Sequence, residues 1–90
     1  MNQEKDTLLE FPCEFSVKAM GLSSHSDFEA LVMKIVSVHV PDLRPDASRS
    51  RTSKNGKYLS VTITFQATSK AQLDAIYYDL TDHNDVVMSL

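Results

Sequence analysis

Residues 53–67 read Ser-Lys-Asn-Gly-Lys-Tyr-Leu-Ser-Val-Thr-Ile-Thr-Phe-Gln-Ala. After the Asn55-Gly56 pair, polar and apolar residues alternate up to Ala67, and a period of two is typical of a strand buried on one face only. Asn-Gly suits a type I′ turn, because both central residues of that turn have positive φ. The stretch therefore predicts a β-hairpin whose second strand lies centrally in a sheet.

Upstream of the hairpin, the sequence predicts a strand and then a helix. Residues 13–20 alternate in the same way, and Gly21 is expected to end this first strand. Ser26 has a glutamate three residues on, the spacing of a capping box, which predicts a helix over residues 27–39 that Pro41 ends. Its apolar stripe comprises Phe28, Leu31, Val32, Ile35 and Val38.

The remaining elements follow from the same reasoning. Residues 47–53 form a polar strand that leads into the turn, and Ser69 with Gln72 repeats the capping-box spacing before a second amphipathic helix. A short fourth strand closes the chain, and its apolar positions are expected to face the helices. These positions are Val86, Met88 and Leu90.

The element order β-α-β-β-α-β predicts an α+β, ferredoxin-like sandwich. Right-handed crossovers place both helices on one face of a four-stranded antiparallel sheet with strand order 4-1-3-2. The opposite, open face is then rich in hydroxyl groups and poor in aromatic rings. Its predicted members are Ser16, Lys18, Met20, Ser60, Thr62, Thr64, Val87 and Ser89.

Ninety residues with 42% hydrophobic and 23% charged residues indicate one globular domain, expected over residues 11–90 after a flexible arm at residues 1–10. No apolar run reaches the ~18 residues of a membrane span, and no secretion signal is recognisable at the N-terminus. Cys13 is the single cysteine, so no internal disulfide can form. A reducing, cytoplasmic compartment is the expectation.

Charge is distributed unevenly along the chain. The net charge of the whole chain is −3, but residues 44–57 carry five basic residues and one acid, or +4. This hairpin is either an anion-binding patch or an ordinary solvated surface. The candidate patch comprises Arg49, Arg51, Lys54 and Lys57.

The sequence contains no recognisable catalytic or metal-binding set, so neither enzymatic activity nor a metal or cofactor is expected. Cys13 stands alone, and the three histidines are far apart in sequence. His83 lies among aspartates, which is compatible with a cation site but more typical of a helix end. RNA-binding sheets of this topology stack bases on central-strand aromatics, and here only Tyr58 at the hairpin end could do so.

One loop has a functional interpretation. A glycine between the first strand and the first helix admits a ligand close to the backbone, near helix N-terminal amides that can bind a carboxylate. The alternative is that this glycine serves only the geometry of the turn. The candidate ligand loop comprises Lys18, Gly21, Ser23 and Ser24.

Several motifs resemble those of the YbeD-like family of small bacterial proteins. They are Glu10-Phe11-Pro12-Cys13, Val17-Lys18 with Gly21, His39 with Pro41, Ser53-Lys54-Asn55-Gly56-Lys57-Tyr58 with Ser60-Val61, and the closing Met88 and Leu90. Ser89 departs from the aliphatic residue expected in the last strand. The resemblance implies a ferredoxin-like fold similar to ACT-type regulatory domains, in a family without an established activity.

Two hypotheses about function follow. The first is a non-enzymatic regulatory or interaction module that acts by self-association, as a homodimer for example, or by binding a small effector or a protein. The second is that the basic hairpin docks onto an anionic partner such as nucleic acid, by salt-sensitive contacts without base readout. No membrane partner is expected.

Overall fold

The computed structural model describes residues 10–90 and confirms the ferredoxin-like fold. The elements are β1 (Cys13–Leu22), α1 (Phe28–Ser37), β2 (Ser48–Thr52), β3 (Tyr58–Ala67), α2 (Lys70–Asp82) and β4 (Met88–Ser89). All strand pairs are antiparallel, in the order β2-β3-β1-β4, which is the predicted order read in reverse. The arm predicted for residues 1–10 lies, except for Glu10, outside the described residues.

A single apolar layer between the sheet and the helices forms the core. Val17 and Ala19 of β1 and Val61 and Ile63 of β3 are fully buried beneath the two helices. Each large apolar side chain buried in this way contributes about 1.5–3 kcal/mol. The helices supply Phe28, Val32, Val36, Leu73, Ile76 and Leu80. Val38, predicted in this stripe, lies beyond the last residue of α1 and is 71% exposed.

The strands of the hairpin pair symmetrically about Asn55-Gly56, but the turn differs from the predicted one. Ser53 donates its amide to the Tyr58 carbonyl, and its own carbonyl accepts from the Gly56 amide, so the loop has four residues. Only Gly56, at φ 79°, has a positive φ among residues 10–90, which rules out the predicted type I′ turn. The Asn55 side chain accepts hydrogen bonds from the Lys57 amide and the Ser53 hydroxyl instead, so it fixes a tight loop without adopting a left-handed backbone.

β1 does not end at Gly21. It continues to Leu22, and Gly21 pairs with Leu59 of β3. A Cβ atom at residue 21 would lie 2.5 Å from Cε1 of Phe28, and Phe28 is only 1% exposed. Gly21 is therefore required for the packing of α1 onto the sheet, and the backbone at this position is extended.

One of the two predicted capping boxes forms in part, because the Gln72 side chain bonds the amide before the N-cap residue and not the amide of Ser69. Ser69 accepts a hydrogen bond from the Gln72 amide at 3.0 Å, and Gln72 Oε1 accepts from the Thr68 amide. At α1 the N-cap is Asp27 without a side-chain cap. Ser26 is exposed there, and the Glu29 carboxylate accepts from a serine hydroxyl of β2 instead.

The two serines therefore provide a matched test of helix capping. Replacing Ser69 by alanine should destabilise the protein by about 1 kcal/mol, because an amide of the first turn of α2 loses its acceptor. Replacing Ser26 by alanine should change stability by less than about 0.5 kcal/mol, as at other exposed sites without a partner. Urea unfolding of both variants measures the difference, and equal losses would show that the cap at Ser69 adds nothing.

The side chains of β4 face the opposite way from the prediction. Ser89 pairs with buried Ala19, and its hydroxyl lies 3.1 Å from the Thr81 hydroxyl of α2, so Ser89 faces the helices. Met88 pairs with Met20 on the open face, whereas Val86, which precedes the strand, packs against the core as predicted. Leu90 exchanges backbone hydrogen bonds with Lys18 and, by alternation, also lies on the open face.

Candidate functional site

The open face of the sheet brings together residues that are distant in sequence. Thr62 of β3 pairs with Lys18 on one side and with Arg49 on the other, and Ser60 is flanked in the same way by Met20 and Arg51. Because paired residues point to the same side of a sheet, these rows form one continuous surface. We call this surface the open face, and its members are Glu14, Ser16, Lys18, Met20, Leu22, Arg49, Arg51, Tyr58, Ser60, Thr62, Thr64, Gln66, Met88 and Leu90.

Within residues 10–90, the cationic groups of the open face have no carboxylate partner. Lys18, Arg49 and Arg51 are all exposed, and none of the ion pairs within residues 10–90 includes them. Glu14 is also on this face, but four residues along β1 from Lys18, which is about 13 Å in a strand. The face therefore presents positive charge that is available to a ligand.

Exposed apolar side chains lie along the edge of the open face opposite to the arginines. Met88 and Leu90 are 50% and 64% exposed, and Leu22 is 45% exposed. Met88 lies in β4, Leu90 directly follows this strand and Leu22 ends β1, whereas the arginines belong to β2 at the other edge. The open face is thus basic along one edge and apolar along the other, with serine and threonine hydroxyls between.

The hydroxyls are partly paired with each other. The hydroxyls of Ser16 and Thr64, on neighbouring strands, lie 2.8 Å apart. Ser60 and Thr62, between the two cationic strands, are half-buried. This central strip is polar, and Tyr58 at its end is the aromatic residue of the face within residues 10–90.

The four residues of the candidate ligand loop do not converge. Lys18 lies on the open face, whereas Gly21 faces the helices and the space beside it is filled by the Phe28 ring. The Ser23 hydroxyl donates to the carbonyl of Gly56 in the hairpin loop, and Ser24 is exposed in the turn before α1. Ser23 thus links the turn before α1 to the hairpin loop by a hydrogen bond, and Lys18 belongs to the open face.

The candidate basic patch divides into two parts. Arg49 and Arg51 lie on the open face, near Lys18. Lys54 and Lys57 lie in the hairpin loop, where the Lys57 ammonium is 5.4 Å from the centroid of the Tyr58 ring. A cation at this distance from an aromatic ring is attracted to its face. The two parts can be changed independently by mutation.

The histidines have structural partners. His39 Nε2 lies 2.6 Å from an Asp79 carboxylate oxygen, which joins the end of α1 to α2, and His25 Nε2 lies 3.0 Å from Asp85. Nδ1 of His83 accepts the Asp85 amide. Within residues 10–90 no group of three or more histidine, cysteine or acidic side chains is arranged to hold a metal ion.

The aspartates of α2 and the loop after it lie away from the open face. Residues 71–90 contain four aspartates and no lysine or arginine, and α2 covers the helical side of the sheet. Outside residues 71–90, Asp46 forms an ion pair with Arg44, and the Arg44 guanidinium keeps the pKa of the Asp46 carboxyl below its ordinary value. The aspartates and the open-face cations therefore lie on different sides of the sheet.

Burial affects one tyrosine of α2. The pKa of Tyr77 is raised because its hydroxyl is partly removed from water, which disfavours the charged phenolate.

Among residues 10–90, no helix is both long and apolar enough to cross a membrane.

Comparison with known proteins identifies the family. The family model DUF493, described as a protein of unknown function, matches residues 6–90. A UPF0250 protein of Nitrosomonas europaea is 44% identical over 86 residues, covering 96% of this chain and 98% of the relative. A UPF0250 protein of Chromobacterium violaceum is 43% identical over 90 residues, covering all of both chains.

A solved structure agrees with the fold. The solution structure of the protein HP0495 from H. pylori superposes with a TM-score of 0.70 at 17% identity, covering 91% of this chain and 85% of that one. At this identity the likeness extends to the fold alone. The family matches and the shared fold confirm the resemblance drawn from the sequence motifs, and the chain belongs to the DUF493 (UPF0250, YbeD-like) family of small bacterial proteins.

Proposed function

We propose that the protein is a non-enzymatic, cytosolic interaction module that binds an acidic protein partner on the open face of its sheet. The observation that supports the proposal is the group of three exposed cations, Lys18, Arg49 and Arg51, without a carboxylate partner in residues 10–90. Such groups attract negative charge and steer association.

The rest of the open face favours a protein over nucleic acid. Single-stranded nucleic acids gain much of their affinity by stacking bases on aromatic rings, and the central strands offer hydroxyls here. Met20, Met88 and Leu90 provide flexible apolar contacts instead, and methionine and arginine are enriched in protein interfaces. An ACT-like small-effector role has less support, because Phe28 occupies the space beside Gly21.

The proposal is tested by comparing two anionic probes. One is an acetylated and amidated nonapeptide that alternates glutamate with valine, and the other is a fluorescent decathymidine strand. We expect the peptide to bind at least several-fold more tightly than the DNA at equal ionic strength, and its affinity to fall as salt screens the cations. Fluorescence anisotropy gives both affinities. Tighter binding of the DNA would favour the hairpin hypothesis, and no binding of the peptide at low salt would contradict the proposal.

A further inference from the structure

The outer edge of β2 has backbone groups that are not used by the sheet. The Ala47 carbonyl and the Ser53 amide bond to β3, and in an antiparallel pair the residues alternate between those that bond inwards and those that do not. Arg49 and Arg51 therefore bond to β3, while the backbone groups of Ser48, Ser50 and Thr52 point outwards. Within residues 10–90, no hydrogen bond from outside the β2–β3 pair reaches these three residues' backbone groups.

An open groove runs beside this edge on the helical side of the sheet. It lies between α1 and β2, and its walls combine the apolar Met33, Pro45 and Leu59 with polar and charged side chains, among them Glu29, Lys34 and Ser48. A strand placed against β2 would direct alternate side chains to the open face and into this groove. The edge thus offers backbone partners together with two different surfaces for side chains.

A second copy of the chain is a poor occupant of this edge. If two β2 strands paired antiparallel through their outward groups, centred on Ser50, Arg49 of one copy would lie opposite Arg51 of the other. Centring the pair on Arg49 or on Arg51 places that arginine opposite itself. Like charges directly opposite each other destabilise strand pairs, so these three registers are unfavourable for self-pairing, whereas a strand that carries carboxylates at those positions is favoured.

We infer that the acidic partner binds by adding an extended segment to the outer edge of β2. The inference rests on the proposed function and specifies its partner: a strand with acidic side chains at every second position, facing Arg49 and Arg51, and small apolar ones between them, facing the groove. The two arginines are two residues apart, about 7 Å, which matches the spacing of alternate side chains in a strand.

The decisive readout is hydrogen exchange of individual β2 amides, measured by NMR with the glutamate-valine nonapeptide. Strand addition should slow exchange at Ser48, Ser50 and Thr52 by on the order of tenfold or more at saturation. The Arg49 and Arg51 amides, already bonded to β3, should change little. A nonapeptide of the same composition with its glutamates in one block serves as control and should give weaker binding and little protection.

Substitution and peptide chemistry separate strand addition from simple charge attraction. Ser50→Pro removes an outward N–H, which edge strands tolerate, and should weaken peptide binding at least about tenfold, as expected when strand addition is blocked. Ser50→Ala should bind normally. N-methylation of the peptide at alternate residues tests the same hydrogen bonds without altering the protein.

The results with the two peptides distinguish failure of strand addition from failure of the open-face proposal. Equal binding of both peptides without amide protection would overturn strand addition and leave the open-face proposal standing. Failure of both peptides to bind would contradict both. Protection at Ser48, Ser50 and Thr52 that is lost with the N-methylated peptide would support both.

Discussion

Replacing Gly21 by alanine is expected to destabilise the fold by about 1–3 kcal/mol, the usual cost of overpacking a core. The added Cβ would lie 2.5 Å from Cε1 and 2.6 Å from Cζ of Phe28. The Phe28 ring is 1% exposed, so relief requires the ring or α1 to shift. Urea unfolding followed by circular dichroism measures the change.

A second substitution shows whether the Phe28 contact is the cause. In a Phe28→Leu background the clash is reduced, so Gly21→Ala should cost clearly less there, giving a coupling energy of about 1 kcal/mol or more. Gly56→Ala is the control. Its cost of about 1 kcal/mol comes from a left-handed backbone, no atom lies within 4 Å of the added Cβ, and coupling to Phe28 should be absent. Identical costs for Gly21→Ala in both backgrounds would exclude the packing explanation.

The topology could be predicted because turn chemistry and alternation agree. A two-residue loop and a four-residue loop that are both centred on Asn55-Gly56 pair the same residues of β2 and β3. The predicted sheet order is therefore correct although the predicted turn type is wrong. The same register also pairs Arg49 with Thr62. Since Thr62 was predicted on the open face, the position of the two arginines beside Lys18 could have been derived.

Other features depend on contacts that local sequence does not encode. Residues 86–90 have apolar side chains in both phases, so alternation alone cannot orient β4. Pairing with β1 and the contact between Ser89 and Thr81 set its orientation. The Ser26 capping box fails because Glu29 accepts a hydrogen bond from Ser48, nineteen residues away. The role of Gly21 is visible only when Phe28 is placed beside it.

Reversing the charge of both open-face arginines, Arg49→Glu with Arg51→Glu, is expected to weaken binding of the glutamate-valine nonapeptide about ten- to hundredfold, because favourable pairs become like-charge pairs. This corresponds to about 1.4–2.7 kcal/mol. Both side chains are exposed on an edge strand, so the fold should be retained. Circular dichroism and unfolding midpoints check this.

The matched control reverses the other half of the basic hairpin. Lys54→Glu with Lys57→Glu changes net charge by the same amount, but these lysines lie in the hairpin loop beyond β2, where Lys54 borders the end of the open face beside Arg51 and Tyr58. Long-range attraction is equally reduced in both variants, so their difference isolates the contacts made by the arginines. The loop variant should weaken binding by no more than about threefold, a screened long-range effect.

The ratio of these two affinities tests the central claim most directly. Isothermal titration of the nonapeptide into both double variants at physiological ionic strength should give markedly weaker binding to the Arg49/Arg51 variant than to the Lys54/Lys57 variant. Equal losses in the two variants would show that the peptide senses only overall charge. A greater loss in the Lys54/Lys57 variant would place the binding surface at the hairpin loop and contradict the account.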